Sequence, residues 1–369
     1  MENKIRVMII DDSAVIRNII TKILSTNQHI EVVGTAINGR FGLSKINNLK
    51  PDIIILDLEM PEMNGIDFLK EREKLGIKTP VIILSAHAKK GAKITLDALS
   101  LGASDFILKP SEMGINIEET GEKLVEMVLA LAKPSSYISK DIRDQIVQTG
   151  NKFNFEIPVI PKFELEQHTK QIGNIPEIKI VSIGISTGGP NALRDILPLF
   201  PENFPVPIVI VQHMPPGFTY EFALSLDKIC KLRVKEAEEG DLVKAGRIII
   251  APGNKHVRFI QKSLATIITL DEGPAVNGHR PSADVLFEST ALTYGGNSLG
   301  CIMTGMGKDG ANNIGMILNL GGITIAQDQE SSIVFGMPKV AIEKGNIQLI
   351  RPLNKIAETI INIVMNRRI

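Results

Sequence analysis

The stretch IIILDLEMPEMNGIDFL, residues 53–69, settles the architecture of the first third of the chain. Its run Ile53 to Leu56 is strand-length and apolar throughout, which predicts a strand buried on both faces rather than one facing water. The run stops at an acid, Asp57. Similar Ile/Val/Leu runs lie on either side, at 5–10, 31–36, 80–84 and 105–108. Between them the apolar residues recur at helical spacing. Val15, Ile16, Ile19, Ile20, Ile23 and Leu24 form one such face. Apolar strands alternating with amphipathic helices predict a five-stranded, doubly wound parallel sheet covered on both sides.

Chemistry-bearing residues fall where those strands end. Asp11 and Asp12 follow the first, Asp57 the third, Ser85 the fourth and Lys109 the fifth. In an open parallel sheet the carboxyl ends share one edge, so these groups converge in a pocket. Clustered carboxylates repel one another unless a divalent cation is present, and hard oxygen ligands suit Mg²⁺. A carboxylate held in that way can attack a phosphoryl group and become an acyl phosphate. An isolated aspartate at such a position is commonly only a helix cap. Five matched positions at four strand ends argue against that reading.

Residues 1 to about 125 resemble the receiver domain of two-component response regulators, through IIDDSAVIR, the stretch around Asp57, ILSAH and ASDFILKP. The resemblance implies a flavodoxin-like fold and Asp57 as phospho-acceptor. It also implies Mg²⁺ on Asp12, Asp57 and the Glu59 carbonyl, with Asp11 close by. Ser85, Phe106 and Lys109 would form the phosphorylation switch, and Lys109–Pro110 would carry a cis peptide.

Helical period continues over 115–132. The prolines at 134, 158, 161 and 176 then mark a polar linker, placed at 126–176, with a short helix expected near 139–148. Alternation resumes at Glu177. Strands are expected at 178–183, 207–212, 231–236, 246–251, 256–260, 265–270, 299–303 and 322–326, and helices at 190–200, 217–229, 282–293 and 310–320. The second domain, 177–369, therefore reads as a doubly wound, mostly parallel α/β fold, with an antiparallel hairpin within 246–270.

It opens with IKIVSIGISTGGP, in which Gly184-x-Ser186-x-Gly188 permits a sharp strand-to-helix turn. Such a turn exposes Ser186 at a helix N-terminus, where free N–H groups can hold an oxyanion. The same glycine-rich turn could cradle a phosphate. A serine nucleophile needs a base. His213, after the strand PIVIVQ, lies at a carboxyl end, with His279 of PAVNGHRPSAD as its main competitor. Asp309, in TGMGKDGA, could fix the imidazole or merely cap the next helix. The chain order Ser, His, Asp differs from the Ser, Asp, His order of α/β-hydrolases, which would require Asp271 with His279.

SIGISTGGP, VIVQHMPPGFT, IIIAPGNKHV, GHRPSADVLF and CIMTGMGKDG together resemble the catalytic domain of chemotaxis protein-glutamate methylesterases. Ile185, where that family usually has a small residue, and the long linker depart from the pattern. The resemblance implies Ser186 as nucleophile, His213 as base and Asp309 as orienting carboxylate, with Thr187 and Met306 as oxyanion or positioning groups. No cofactor is expected in this domain. The implied reaction is hydrolysis of glutamate γ-methyl esters on methyl-accepting chemoreceptors, with deamidation of particular glutamines. A chemotaxis histidine kinase would act as phosphodonor, and phosphorylation would relieve restraint of the hydrolase. A second domain that only binds a partner, and a hydrolase acting outside chemotaxis, are the alternatives.

Bulk composition agrees with a two-domain globular protein. Of 369 residues 44% are hydrophobic and 22% charged, and 41 basic residues balance 41 acidic ones, so no basic field points to nucleic acid. No apolar run approaches a bilayer span, and the N-terminus reads as a strand rather than a leader. The two cysteines, Cys230 and Cys301, suggest a reducing cytoplasm. A cytoplasmic monomer is expected, with no membrane insertion.

Overall fold

The computed structural model describes residues 4–86, 89–109, 117–132 and 175–366. The chain divides into two compact units, within residues 1–164 and 165–369.

The first unit alternates β1 (Ile5–Ile10), α1 (Ala14–Leu24), β2 (Ile30–Ala36), α2 (Gly39–Leu49), β3 (Ile53–Asp57), α3 (Gly65–Lys74), β4 (Val81–Ser85), α4 (Lys89–Ser100), β5 (Asp105–Leu108) and α5 (Ile117–Leu131). The strands pair in the order β2-β1-β3-β4-β5, all parallel. Ile53 to Leu56 are fully buried. Each such side chain contributes about 1.5–3 kcal/mol by leaving water, which fixes the central strand at the middle of the stack. On α1 the buried line is Ile16, Ile20 and Leu24, whereas Val15 is 65% exposed. Val15 was expected on the apolar face, but one residue rotates a helix by about 100°, which carries it past the sheet. Gly65 opens α3 because a Cβ there would run into the Asp57 carbonyl and the Leu58 backbone.

The helix α5 continues to Leu131, past the 125 boundary expected for this domain. Most of the 126–176 linker, its expected short helix at 139–148, and Pro110 with its peptide bond lie outside the described residues.

The second unit holds a seven-stranded sheet, all parallel, in the order β14-β13-β12-β6-β7-β9-β8. Its strands are β6 (Ile180–Ile185), β7 (Ile208–Gln212), β8 (Arg233–Glu236), β9 (Arg247–Ile250), β12 (Ser298–Ile302), β13 (Ile323–Gln327) and β14 (Leu349–Arg351). An antiparallel hairpin, β10 (His256–Gln261) with β11 (Thr266–Asp271), stands apart from it. The helices are α6 (Gly189–Ile196), α7 (Phe218–Asp227), α8 (Ala283–Tyr294), α9 (Ile314–Asn319), α10 (Met337–Glu343) and α11 (Leu353–Asn366). From β6 the chain first builds outward through β7 and later returns on the other side through β12. The switch in strand order therefore lies at β6, where ligand crevices of open α/β sheets form. Gly184 lets α8 approach this point closely, since a Cβ there would lie 2.7 Å from that of Ala283 and 3.1 Å from the Phe287 ring.

Candidate active site

Ser186 directly follows β6, His213 follows β7, and Asp309 lies in the loop after β12, three neighbouring strands in the sheet. The serine turn is held from both sides. Its N–H donates to the Thr304 carbonyl at 2.9 Å, and its carbonyl accepts from the Gln212 side-chain amide at 3.0 Å. Gly188 takes φ +75° at the start of α6, and a side chain at Gly189 would collide with the Gln212 amide. The small residues of the motif are thus required by this tight turn as well as by its φ values. Ser186 is 6% exposed.

His213 Nε2 donates to Asp309 Oδ2 at 2.8 Å, while Nδ1 is buried with no hydrogen-bond partner. In its neutral form the ring then carries its proton on Nε2 and its lone pair on Nδ1. Asp309 is fully buried. Its Oδ1 accepts from the Ser282 hydroxyl (2.6 Å), Asn277 Nδ2 (3.0 Å) and the Asp284 N–H (3.3 Å), and Oδ2 also accepts from the Ala283 N–H (2.6 Å). Two of these donors are free amides at the N-terminus of α8, whose dipole favours an anion. Burial alone would raise the Asp309 pKa. The hydrogen bond and charge of His213, with Ser282 and Asn277, outweigh it and hold the carboxyl well below the usual carboxylate range. Asp309 does not cap its own following helix, which starts only at Ile314, after Asn313. The helix expected over 310–320 is shortened because Gly310, at φ +83°, packs against Ala283 and Phe287 in the same junction.

The other histidines have different surroundings. His256, at the start of β10, is buried between the Pro274 carbonyl (3.1 Å from Nε2) and the Ser282 N–H (3.1 Å from Nδ1). His279 stacks on His213, with ring centroids 3.8 Å apart and planes 14° apart. Asp271, its partner in the α/β-hydrolase alternative, instead takes the Gly273 N–H at 2.8 Å and Arg258 at 3.1 Å, and these lower its pKa. Thr187 is buried and its carbonyl accepts from Thr304 Oγ1 at 2.9 Å. Met306 follows Gly305, where a Cβ would lie 2.8 Å from that of Ser186, so its backbone borders the serine. Gln212, Asn277, Ser282 and Thr304 escaped the sequence reading, though Asn277-Gly278 carried a turn signal. Burial raises the thiol pKa of both cysteines, Cys230 to about 11.

In the first unit, the Lys109 ammonium lies 2.7 Å from Asp57 Oδ2 and 3.3 Å from Asp11 Oδ2. Asp11 and Asp57 are buried and Asp12 is exposed. Burial raises the pKa of both buried acids despite Lys109. Burial also works against the Lys109 charge, but Asp57 and Asp11 raise its pKa overall. Oxygens of Asp11, Asp12 and Asp57 come within 4.8 Å of one another. This hard-oxygen set, carrying more negative charge than one ammonium offsets, fits Mg²⁺. The Glu59 N–H donates to Asp57 Oδ1 at 3.3 Å. The Ser85 hydroxyl is 2.6 Å from Thr95 Oγ1 of α4, and Thr95 donates to the Gly91 carbonyl at 2.7 Å. Phe106 on β5 is buried. Among the described residues no helix is long and apolar enough to cross a membrane.

A parallel-sheet unit with a buried acidic pocket, followed by one presenting serine, histidine and aspartate at a sheet edge, defines a receiver-linked serine hydrolase. Comparison with known proteins narrows the class. Residues 7–117 match the response regulator receiver domain and residues 181–360 the CheB methylesterase family. The chain is 49% identical over 351 residues to the protein-glutamate methylesterase/protein-glutamine glutaminase of Treponema denticola, covering 93% of this chain and 94% of that protein. It is 40% identical to the Pyrococcus abyssi protein of the same name, covering 98% and 94%. The crystal structure of the Thermotoga maritima CheB methylesterase catalytic domain is similar at TM-score 0.50 and 44% identity, covering 51% of this chain and 100% of that one. The chain belongs to the CheB methylesterase family, with an N-terminal response regulator receiver domain. It is a hydrolase of the methylesterase type.

Proposed function

We propose that this chain hydrolyses glutamate γ-methyl esters, and deamidates particular glutamines, on the cytoplasmic helices of chemoreceptors, with Ser186, His213 and Asp309 as its triad. The observation that carries the reading is the bond from His213 Nε2 to Asp309, which leaves the buried Nδ1 lone pair as the available base. Ser186 Oγ attacks the ester carbonyl carbon while Nδ1 takes its proton. Backbone N–H groups near Thr187 and Met306 hold the oxyanion. The tetrahedral intermediate then collapses, and His213 returns the proton to the departing methoxide, giving methanol and an acyl-Ser186. Water, deprotonated by the same Nδ1, cleaves the acyl-enzyme to free glutamate. A glutamine side chain follows the same path with ammonia leaving. Asp309 keeps its charge throughout, because its five hydrogen bonds stabilise the carboxylate.

In the receiver, Asp57 accepts a phosphoryl group from a chemotaxis histidine kinase. Mg²⁺ held by Asp12, Asp57 and the Glu59 carbonyl, with Asp11 close by, would offset the charge of the transferring group. Lys109 pairs with phosphoryl oxygens, and Ser85 leaves Thr95 to hydrogen-bond them. Phe106 repacks with Ser85 and carries the change to the hydrolase. The protein works as a cytoplasmic monomer in this reading, with the linker near 126–176 joining domains 1–125 and 177–369.

Acid quenching during turnover of methylated receptor, followed by peptide mass spectrometry, tests the mechanism. An acyl adduct on the Ser186 peptide is expected, together with a phosphoryl adduct on the Asp57 peptide after incubation with a small-molecule phosphodonor and Mg²⁺. Methanol release with an adduct on another residue, or an acyl adduct that forms as fast in a His213→Ala variant as in wild type, would count against it.

A further inference from the structure

His279 competes with His213 as a base by sequence, yet its place in the fold suits a different task. It closes a two-residue hairpin turn in which Val276 and His279 exchange backbone hydrogen bonds of 3.1 and 2.9 Å. Asn277 and Gly278 occupy the turn at φ 52° and 77°, the geometry that Asn-Gly pairs supply at little cost. The turn is fastened on three sides. Asn277 Nδ2 donates to Asp284 at 2.7 Å and to Asp309 at 3.0 Å. Arg280 donates to the Glu272 and Gly273 carbonyls at 2.7 and 2.8 Å and to Asn254 Oδ1. The buried His256 ring bridges Pro274 and Ser282 on the two limbs of the loop. A loop pinned in this way holds its side chain to a fixed position, and here that side chain lies flat on His213.

The consequence concerns the ring plane of the base. The histidine χ2 torsion is broad and roughly two-fold, so one hydrogen bond from Nε2 leaves the ring able to rock about the line to Asp309. Rocking would swing Nδ1 out of line for proton transfer. A second aromatic ring 3.8 Å away and 14° from parallel blocks that motion, because any tilt drives one ring edge into the other. The stacked face also keeps water off the imidazolium formed when Nδ1 takes a proton, and the His213 side chain is 4% exposed.

We propose that His279 is a positioning residue for this hydrolase, holding the His213 ring plane so that Nδ1 keeps one direction through both proton transfers. The proposal rests on the assignment of Ser186, His213 and Asp309 given above. It requires a flat ring at 279 and no polar atom from it. Full-length protein carrying His279→Leu, which keeps bulk without planarity, and His279→Phe, which keeps planarity without the nitrogens, separates the requirements. Methanol release from methylated receptor membranes supplies kcat and KM, with Ser186→Ala run in parallel and thermal midpoints confirming folding. Leu is expected to lower kcat on the order of 10–100-fold, the scale of a slightly misplaced reacting group, with KM little changed. Phe is expected to recover most of that loss. Equal activity of Leu and wild type, or equal impairment of Leu and Phe, overturns the proposal. Activity surviving in Ser186→Ala would instead overturn the triad on which it rests.

Discussion

Two buried acids at two sheet edges receive opposite treatment. Asp309 draws five hydrogen bonds, two from helix amides, and its pKa falls despite complete burial. Asp57 shares a single ammonium with Asp11, and its pKa rises. A carboxylate surrounded by donors is fixed in charge and direction, which suits a group that orients a base through every turnover. A carboxylate short of positive charge is open to a cation and to a phosphoryl group, which suits a switch. The difference lies in the neighbours of the aspartates, and in the function proposed above it separates a moving switch from a stationary active site.

The largest effect should come from the stationary site. Ser186→Ala is expected to lower methanol release by about 10⁴-fold or more, as loss of a triad nucleophile does elsewhere. A smaller loss would mean that the fixed constellation does not carry the reaction. Asn277→Ala removes one charged-group hydrogen bond from Asp309 and one from Asp284. Such a bond is worth about 1.5–3 kcal/mol, so kcat should fall by roughly tenfold or more. An unchanged kcat would show that Asp309 is held well enough without it.

The pH dependence of stability separates the acids directly. Asp57 has a folded-state pKa above its unfolded value, so its contribution is fully present below the unfolded value and is lost as pH rises through the folded one. Without Mg²⁺, wild type should therefore gain stability relative to Asp57→Asn as pH falls from neutrality through the carboxylate range. For Asp309 the sign reverses. Its contribution is present above the unfolded value and is lost only as pH falls through the depressed folded one. The deficit of Asp309→Asn should thus stay constant across mild acidification. Calorimetry of the variants against pH checks both, and parallel curves would erase the contrast. The smallest effect belongs to Thr95→Val, which removes the shorter of two resting contacts of the Ser85 hydroxyl and leaves the one to the Ala86 carbonyl at 3.2 Å. A neutral hydrogen bond is worth about 0.5–1.5 kcal/mol, so half-maximal activation should need a few-fold less phosphodonor.

Much of this was legible in the sequence because both sites hang on strand ends. Apolar runs stopping at Asp11, Asp57 and Ser85, or just before Lys109 and His213, announce residues on one edge without knowledge of the tertiary fold. What escaped was the ring around Asp309. Asn277 and Ser282 belong to a loop whose approach depends on a tight fit at Gly184, Gly310 and Ala283, a tertiary fact with no local periodicity. The helix α11 is a different kind of omission. Ile356, Ile360 and Ile363 follow helical spacing and are buried, so its signal was present and went unread. Expected helix ends also overshot where loops serve the site, as at 310–313.

The most direct test measures methanol release from methylated chemoreceptor membranes by wild type, Asp57→Asn and Ser186→Ala, each with and without a small-molecule phosphodonor and Mg²⁺. A switch set apart from a fixed active site predicts three results. Wild-type release rises with phosphodonor, Asp57→Asn shows the unstimulated rate under both conditions, and Ser186→Ala shows none. Stimulation that persists in Asp57→Asn, or serine-independent release, would contradict the account.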